Sequence, residues 1–289
     1  MENILAHNEG AAATWGSGGQ DYDRISEFVS DALTHLVNRI DPRPGERFLD
    51  VATGTGWTAR LLSSRGATVT GVDIGAGVIE AAKALAPDIA FQVADAEALP
   101  FEDANFDAVT STFGVMFVAQ PQIAARELAR VCKKGGRLGL LTWVPEGTVT
   151  RFFQTMQPYM PPRPANPPPS PFEWGRPERI FELLGGAFDL RFETGTTTLR
   201  MPDGESVWQL FVNGFGPVKT LAASIGPVRR EQLKQDFIAF HEQYRSDLGI
   251  AMPRDYLVTI GYRRPAASTD NRSVGRQHEP YLPPCSKCR

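Results

Sequence analysis

The sequence is poor in cysteine: only Cys132, Cys285 and Cys288 stand among its 289 residues. So sparse and odd a set excludes a disulfide framework and fits a reducing compartment. Histidine is scarce as well, with four residues: His7, His35, His241 and His278. Cys285-Ser-Lys-Cys288 is half of a zinc pattern, but zinc needs a second ligand pair and His278 is the only neighbour, so no metal is expected. Charge of one sign is lacking. The 30 basic and 33 acidic residues leave a net charge of −3 and no general field for nucleic acid or an anionic membrane. Long hydrophobic runs are missing too. Leu138–Val144 is typical of the longest, far short of the ~18 residues of a membrane span. Met1–Gly10 has neither the basic start nor the apolar run of a signal peptide. The expectation is a soluble, cytoplasmic protein, either monomer or homodimer.

What is present is a globular composition, 42% hydrophobic and 22% charged, with 27 glycines and 23 prolines. The first half alternates between two hydrophobic periods. Arg47–Ala52, Ala67–Val72, Ile89–Val93, Phe106–Thr110 and Arg137–Val144 read as strands. Trp57–Arg65, Ala76–Ala86 and Gln122–Val131 read as helices between them, and the stripe over Tyr22–Ile40 predicts one leading helix. Such alternation implies βαβ units and a parallel sheet with helices on both faces. The pattern breaks at Pro145, and Pro158–Pro171 holds eight prolines in 14 residues, which predicts an extended loop. Helices are then predicted over Pro177–Leu184, Ser206–Leu221 and Val228–Leu248, and strands over Phe188–Thr198 and Asp255–Tyr262, the last two pairing antiparallel at a sheet edge. The polar, aperiodic stretch 265–289 is expected to be a disordered tail.

The sharpest motif follows the first strand: Asp50-Val-Ala-Thr-Gly54-Thr-Gly56-Trp-Thr-Ala59. Its glycines permit a tight turn and close approach of a ligand to the backbone. The bare G-x-G-x-x-A also occurs in dinucleotide-binding proteins, but Asp50 sits poorly against a pyrophosphate and well beside an ammonium or sulfonium group. Asp73 closes the second strand 17 residues after Gly56, where a carboxylate can take two ribose hydroxyls. Alone it could be a helix cap for the following turn; beside the glycine loop the ligand reading dominates. Asp95, after the third strand, can accept from an exocyclic amine while a neighbouring N–H donates to a ring nitrogen, which would read adenine. Strand ends of open α/β sheets are where ligands bind.

Together, FLDVATGTGWTA, VTGVDIGAGVIEAA, VADAEALPFEDANFDAVTSTFGVMF and ELARVCKKGGRLGLLTW make the chain resemble a class I S-adenosylmethionine-dependent methyltransferase, of the type named for ubiquinone/menaquinone C-methylation. The resemblance covers about residues 41–143. It implies a Rossmann-like α/β fold: a mostly parallel seven-stranded sheet with an antiparallel last strand. It also implies one domain over residues 1–264, with a core of about 41–145, 174–200 and 254–264. The remainder, about 146–173 and 203–250, is left as a helical, proline-rich substrate cover. Asp50, Ala52, Thr53, Gly54 and Gly56 would hold the methionine end of S-adenosylmethionine, and Asp73 the ribose. Ile74, Asp95 and Ala96 would hold adenine. Backbone near Thr112 and Phe113 would meet the methionine group or the methyl, and Tyr22 the cofactor carboxylate, with Trp15 beside it. Plain packing of the N-terminal arm accounts for those two aromatics equally well. Lys133-Lys134-Gly135-Gly136 lacks the proline common at that turn.

The acceptor is expected to be a small apolar or aromatic molecule, since Phe152, Phe153, Tyr159, Trp174, Trp208, Phe211 and Phe215 cluster outside the shared core. The same residues would serve equally as the core of the added layer. His241, bordering an apolar stripe, and Glu146 are candidate bases, and neither is assigned a catalytic role. A nicotinamide-dependent oxidoreductase and a noncatalytic cofactor-binding module are the alternatives.

Overall fold

Strands and helices take turns as their apolar residues change period. The computed structural model describes residues 4–162 and 169–265. The tail expected from residue 265, with its two cysteines and His278, lies outside this range except for Pro265 itself. In chain order the elements are α1 (Glu9–Gly16), α2 (Tyr22–Glu27), α3 (Ser30–Ile40), β1 (Arg47–Val51), α4 (Trp57–Ser64), β2 (Thr68–Asp73), α5 (Ala76–Leu85), β3 (Ala90–Val93), β4 (Phe106–Thr112), α6 (Pro121–Val131) and β5 (Cys132–Trp143). The second half continues with α7 (Thr148–Met156), α8 (Pro177–Leu184), β6 (Phe188–Met201), α9 (Gly204–Gly214), α10 (Gly216–Ser224), α11 (Gly226–Glu242), β7 (Arg245–Ser246) and β8 (Gly249–Arg263).

The sheet runs β3-β2-β1-β4-β5-β8-β6, with the two-residue β7 paired to β8. The first five strands of that path are parallel, and β8 is antiparallel to both β5 and β6. This is the expected mixed α/β architecture with an antiparallel final strand. The crossover between β1 and β4 leaves a crevice at the strand ends, where such sheets take ligands.

Several elements differ from their expected extents, each for a local reason. The leading helix breaks at Phe28-Val29, so that Val29 packs on the sheet core while Phe28 joins the aromatic layer above it. The predicted helix over Ser206–Leu221 is two helices, because Pro217 at the start of α10 cannot continue α9. The helix predicted to reach Leu248 ends at Glu242, and the chain turns back through a short hairpin that uses Gly249 at φ +97°. Strand β8 begins at Gly249 rather than Asp255. It runs through Pro253 and pairs with β6 from Phe188↔Arg263 to Met201↔Ile250. Strand β5 begins at Cys132, taking in Gly135 (φ +77°) with a register shift against β4.

Two apolar clusters result. One lies between the sheet and its flanking helices and includes Phe48, Leu49, Leu62, Ile79, Phe106 and Leu128. The other joins α7, α9, α10, α11 and the far halves of β6 and β8, through Phe152, Trp208, Phe211, Phe215 and Phe237. Burying such large side chains contributes roughly 1.5–3 kcal/mol each.

Candidate active site

The loop after β1 is held by a buried carboxylate beneath it. Asp50 is wholly buried and accepts from Thr53 Oγ1 at 2.6 Å and from Thr110 Oγ1 at 2.7 Å. Burial pushes its carboxyl up to about 6, against the opposing pull of those two hydroxyls. Asp50 therefore ties the β1 loop to β4, and it is absent from the cavity wall. Gly56, at φ +85° and starting α4, is also off the wall. A Cβ there would come within 2.7 Å of the Phe91 ring, and one at Gly71 within 2.6 Å of it. Both glycines are needed for Phe91 to wedge between the loop and β2. Ala52, Thr53 and Gly54 do line the cavity, and Ala52 and Gly54 both sit at φ +55°.

Asp73 lines the cavity, 8% exposed, with Gly54 N–H donating to Oδ2 at 2.9 Å and Gly75 N–H to Oδ1 at 2.8 Å. Each oxygen keeps a lone pair, and burial raises the carboxyl above its ordinary range. Ile74 and Ala96 share that wall. Asp95 accepts from Glu97 N–H at 2.9 Å, from Asn8 Nδ2 at 2.9 Å and from Leu5 N–H at 3.2 Å. His7 Nε2 lies 2.7 Å from Glu97 Oε2, so the N-terminal segment is tied down over this end. Sequence reasoning missed Leu5, His7 and Asn8, which bear no motif.

At the other end, Thr112 Oγ1 meets Thr58 Oγ1 at 2.9 Å. Phe113, at φ +59°, stacks on Trp143 with centroids 3.8 Å apart. The N–H of Phe113 donates to Leu141 O at 2.8 Å, so that group is already used within the fold. Tyr22 starts α2 with its ring against Gly54, 3.2 Å from where a Cβ would stand. Its phenol is raised by burial and by the nearby charge of Asp73. Trp15 packs edge-on to Phe215 at 5.7 Å, and both line the cavity.

One cavity of about 180 Å³ connects these groups. Its far wall is Phe152, Phe153, Phe211, Phe215, His241 and Arg254. Tyr159, Trp174 and Trp208 are buried in the clusters and stay off this wall. Glu146 is paired with Arg176 on the surface, its side chain 71% exposed, and is removed as a candidate base.

Residues 49–140 match the methyltransferase domain family. An uncharacterized protein of Mycobacterium tuberculosis is 36% identical over 261 residues, which is 87% of this chain and 93% of that one. The chain belongs to the class I S-adenosylmethionine-dependent methyltransferases. A demethylmenaquinone methyltransferase of Renibacterium salmoninarum is 38% identical to the methyltransferase over 132 residues, 44% of this chain and 56% of that protein. Among solved structures, a Bacillus subtilis protein superposes with a TM-score of 0.57 at 20% identity, covering 82% of this methyltransferase and 99% of that chain. A phosphoethanolamine N-methyltransferase of Haemonchus contortus, solved with phosphomonomethylethanolamine and S-adenosylhomocysteine, gives 0.52 at 18% identity, covering 81% and 53%. The methyl donor of the methyltransferase is S-adenosylmethionine.

Proposed function

We propose that the cavity holds S-adenosylmethionine along the strand ends and a small apolar or aromatic acceptor beneath the helical layer, and that methyl transfer is an in-line displacement between them. The observation that carries this reading is the continuity of one cavity from Asp73 and Asp95 to the phenylalanine wall. The donor set suits the cofactor. Asp73 offers an unused lone pair on each oxygen to vicinal hydroxyls. Ile74, Asp95 and Ala96 suit adenine, and Ala52, Thr53 and Gly54 allow close approach of the methionine end. Asp50 and Gly56 act beneath the loop, by fixing its shape. Tyr22 and Trp15 close the cavity over the reacting end, and Thr112 and Phe113 form its floor.

The sulfonium supplies the reactivity. The chain aligns the acceptor, excludes water and keeps the transfer path apolar. Among the described residues no helix is long and apolar enough to cross a membrane. The proposed setting is the cytoplasm, with a diffusible acceptor. Incubation with methyl-labelled S-adenosylmethionine and a panel of planar aromatic compounds tests the reading. Label should pass to a small molecule. Label found only on added protein or RNA would overturn it.

A further inference from the structure

Five buried side-chain nitrogens or oxygens have no hydrogen-bond partner among the described residues: Arg137 Nε, Trp174 Nε1, His241 Nε2, Arg254 Nε and Thr259 Oγ1. Of these residues, His241 and Arg254 line the cavity. Buried polar groups are ordinarily satisfied, so two orphan nitrogens on residues that line one cavity point to a partner not supplied by the described residues.

The imidazole of His241 is wholly buried and its tautomer is fixed by the helix that carries it. Nδ1 lies 2.8 Å from the carbonyl of Phe237, which can only accept. Nδ1 therefore bears the proton and Nε2 bears the lone pair. Arg254, on β8, is 6% exposed and donates through Nη2 to the carbonyl of Phe28. No carboxylate stands within ion-pair distance of it among the described residues. Its guanidinium lies 5.8 Å from the centre of the Trp143 ring, and Trp143 stacks on Phe113 at the cofactor end. The charge of Asp31 reaches Arg254 only from beyond ion-pair distance, and a buried cation so loosely matched favours a ligand that brings an anion against it. Phe152, Phe153, Phe211 and Phe215 line the same cavity, with Val149 and Met252.

We propose that the acceptor is a planar apolar molecule with an acidic hydroxyl, a phenol or an enol, whose proton passes to His241 Nε2 and whose oxyanion is held by Arg254. This rests on the small-molecule reading above and narrows it. Phe152 and Phe211, which line the cavity, stand 5.9 and 6.2 Å from the imidazole, centre to centre. The hydroxyl O–H bond breaks toward Nε2. The oxygen's electron pair then forms the new bond to the methyl carbon as the carbon–sulfur bond breaks, and that bonding pair stays on sulfur as a neutral thioether. The imidazolium returns its proton to water when the products leave. Burial pushes His241 down to about 4, with the charge of Arg254 adding to the fall, so Nε2 is unprotonated and free to accept at neutral pH. Burial lowers Arg254 only to about 10, leaving it charged.

The test uses 4-nitrophenol, whose neutral and ionised forms differ in colour, with the full chain and saturating S-adenosylhomocysteine. The bound phenol should ionise ~1–3 pH units below the free compound, as a neighbouring cation requires. Arg254→Met should abolish that shift and Arg254→Lys restore much of it. Nitrogen NMR of the ring should show the Nε2 signal assigned by loss in His241→Asn, and 4-nitrophenol should move it toward the imidazolium position. Nitrophenol that binds with neither change, or that fails to bind while S-adenosylhomocysteine binds, overturns this proposal and leaves the cofactor reading intact. Failure of S-adenosylhomocysteine to bind overturns the reading on which it rests.

Discussion

Replacing His241 by asparagine should change how stability depends on pH, because this imidazole is buried neutral. Its ordinary value near 6.5 falls to about 4 in the folded chain, chiefly by burial, with Arg254 of β8 adding to the fall and Glu242 of its own helix opposing it. Between those two values the unfolded chain binds more protons than the folded one, so stability rises with pH. The contribution is complete above pH ~6.5 and is lost as pH falls through about 4. A fall of about 2.5 units is worth about 3 kcal/mol at 1.36 kcal/mol per unit. Asp50 works in the other direction. Its carboxyl rises from 3.8 to about 6, so its ionised form is disfavoured by folding and stability falls by about 3 kcal/mol as pH rises across that window. The two effects oppose each other between pH ~4 and 6, and Asp73, whose carboxyl burial also raises, acts in the same sense as Asp50. Asparagine at 241 keeps a donor for the Phe237 carbonyl and removes the titration. Urea unfolding at a series of pH values should then show the difference between wild type and His241→Asn growing by about 3 kcal/mol from pH ~4 to 6.5. Asp50→Asn should unmask the opposite slope. A difference that stays constant with pH would mean that the imidazole is solvated in the native state, and the reasoning would fail.

Three further outcomes are expected. Gly71→Ala should cost about 1–3 kcal/mol of stability, since its Cβ would stand 2.6 Å from the Phe91 ring, and Phe91→Leu in the same chain should recover part of the loss in denaturant titrations. Asp73→Asn should weaken S-adenosylhomocysteine binding by about 1.5–3 kcal/mol per charge-assisted hydrogen bond lost, roughly ten- to a hundredfold, with a retained fold by circular dichroism. Asn8→Ala removes a 2.9 Å bond to Asp95 and should loosen the N-terminal segment, seen as faster amide exchange over residues 5–8, while the β-sheet amides stay protected.

The parallel half of the fold was legible because each βα unit carries its own signals. Apolar period, glycine turn and acidic strand end agree from Arg47 to Trp143. Beyond Pro145 local signals mislead. Pro253 reads as a breaker, yet it sits in β8 at the far end of a long pairing with β6, which the sequence around it does not announce. Val228–Leu248 has helical composition throughout, but tertiary pairing of β7 with β8 takes its last residues. The residues nominated around the cavity divide by the same logic. Asp73 and Asp95 can be seen at strand ends. That Asp50 points beneath the loop depends on Thr110, 60 residues away, and that His241 and Arg254 line one cavity depends on α11 and β8 coming together. Such long-range partners leave no periodic trace in one sequence.

The strand-end cavity is proposed as the site for S-adenosylmethionine. Calorimetric titration of the full chain with S-adenosylhomocysteine, beside NADH as the competing dinucleotide, is the deciding measurement. One molecule of S-adenosylhomocysteine should bind per chain, Asp73→Ala should weaken it sharply, and NADH should produce no binding heat. Binding of NADH in its place, or S-adenosylhomocysteine affinity unchanged in a folded Asp73→Ala chain, would show that the cavity is not built for S-adenosylmethionine.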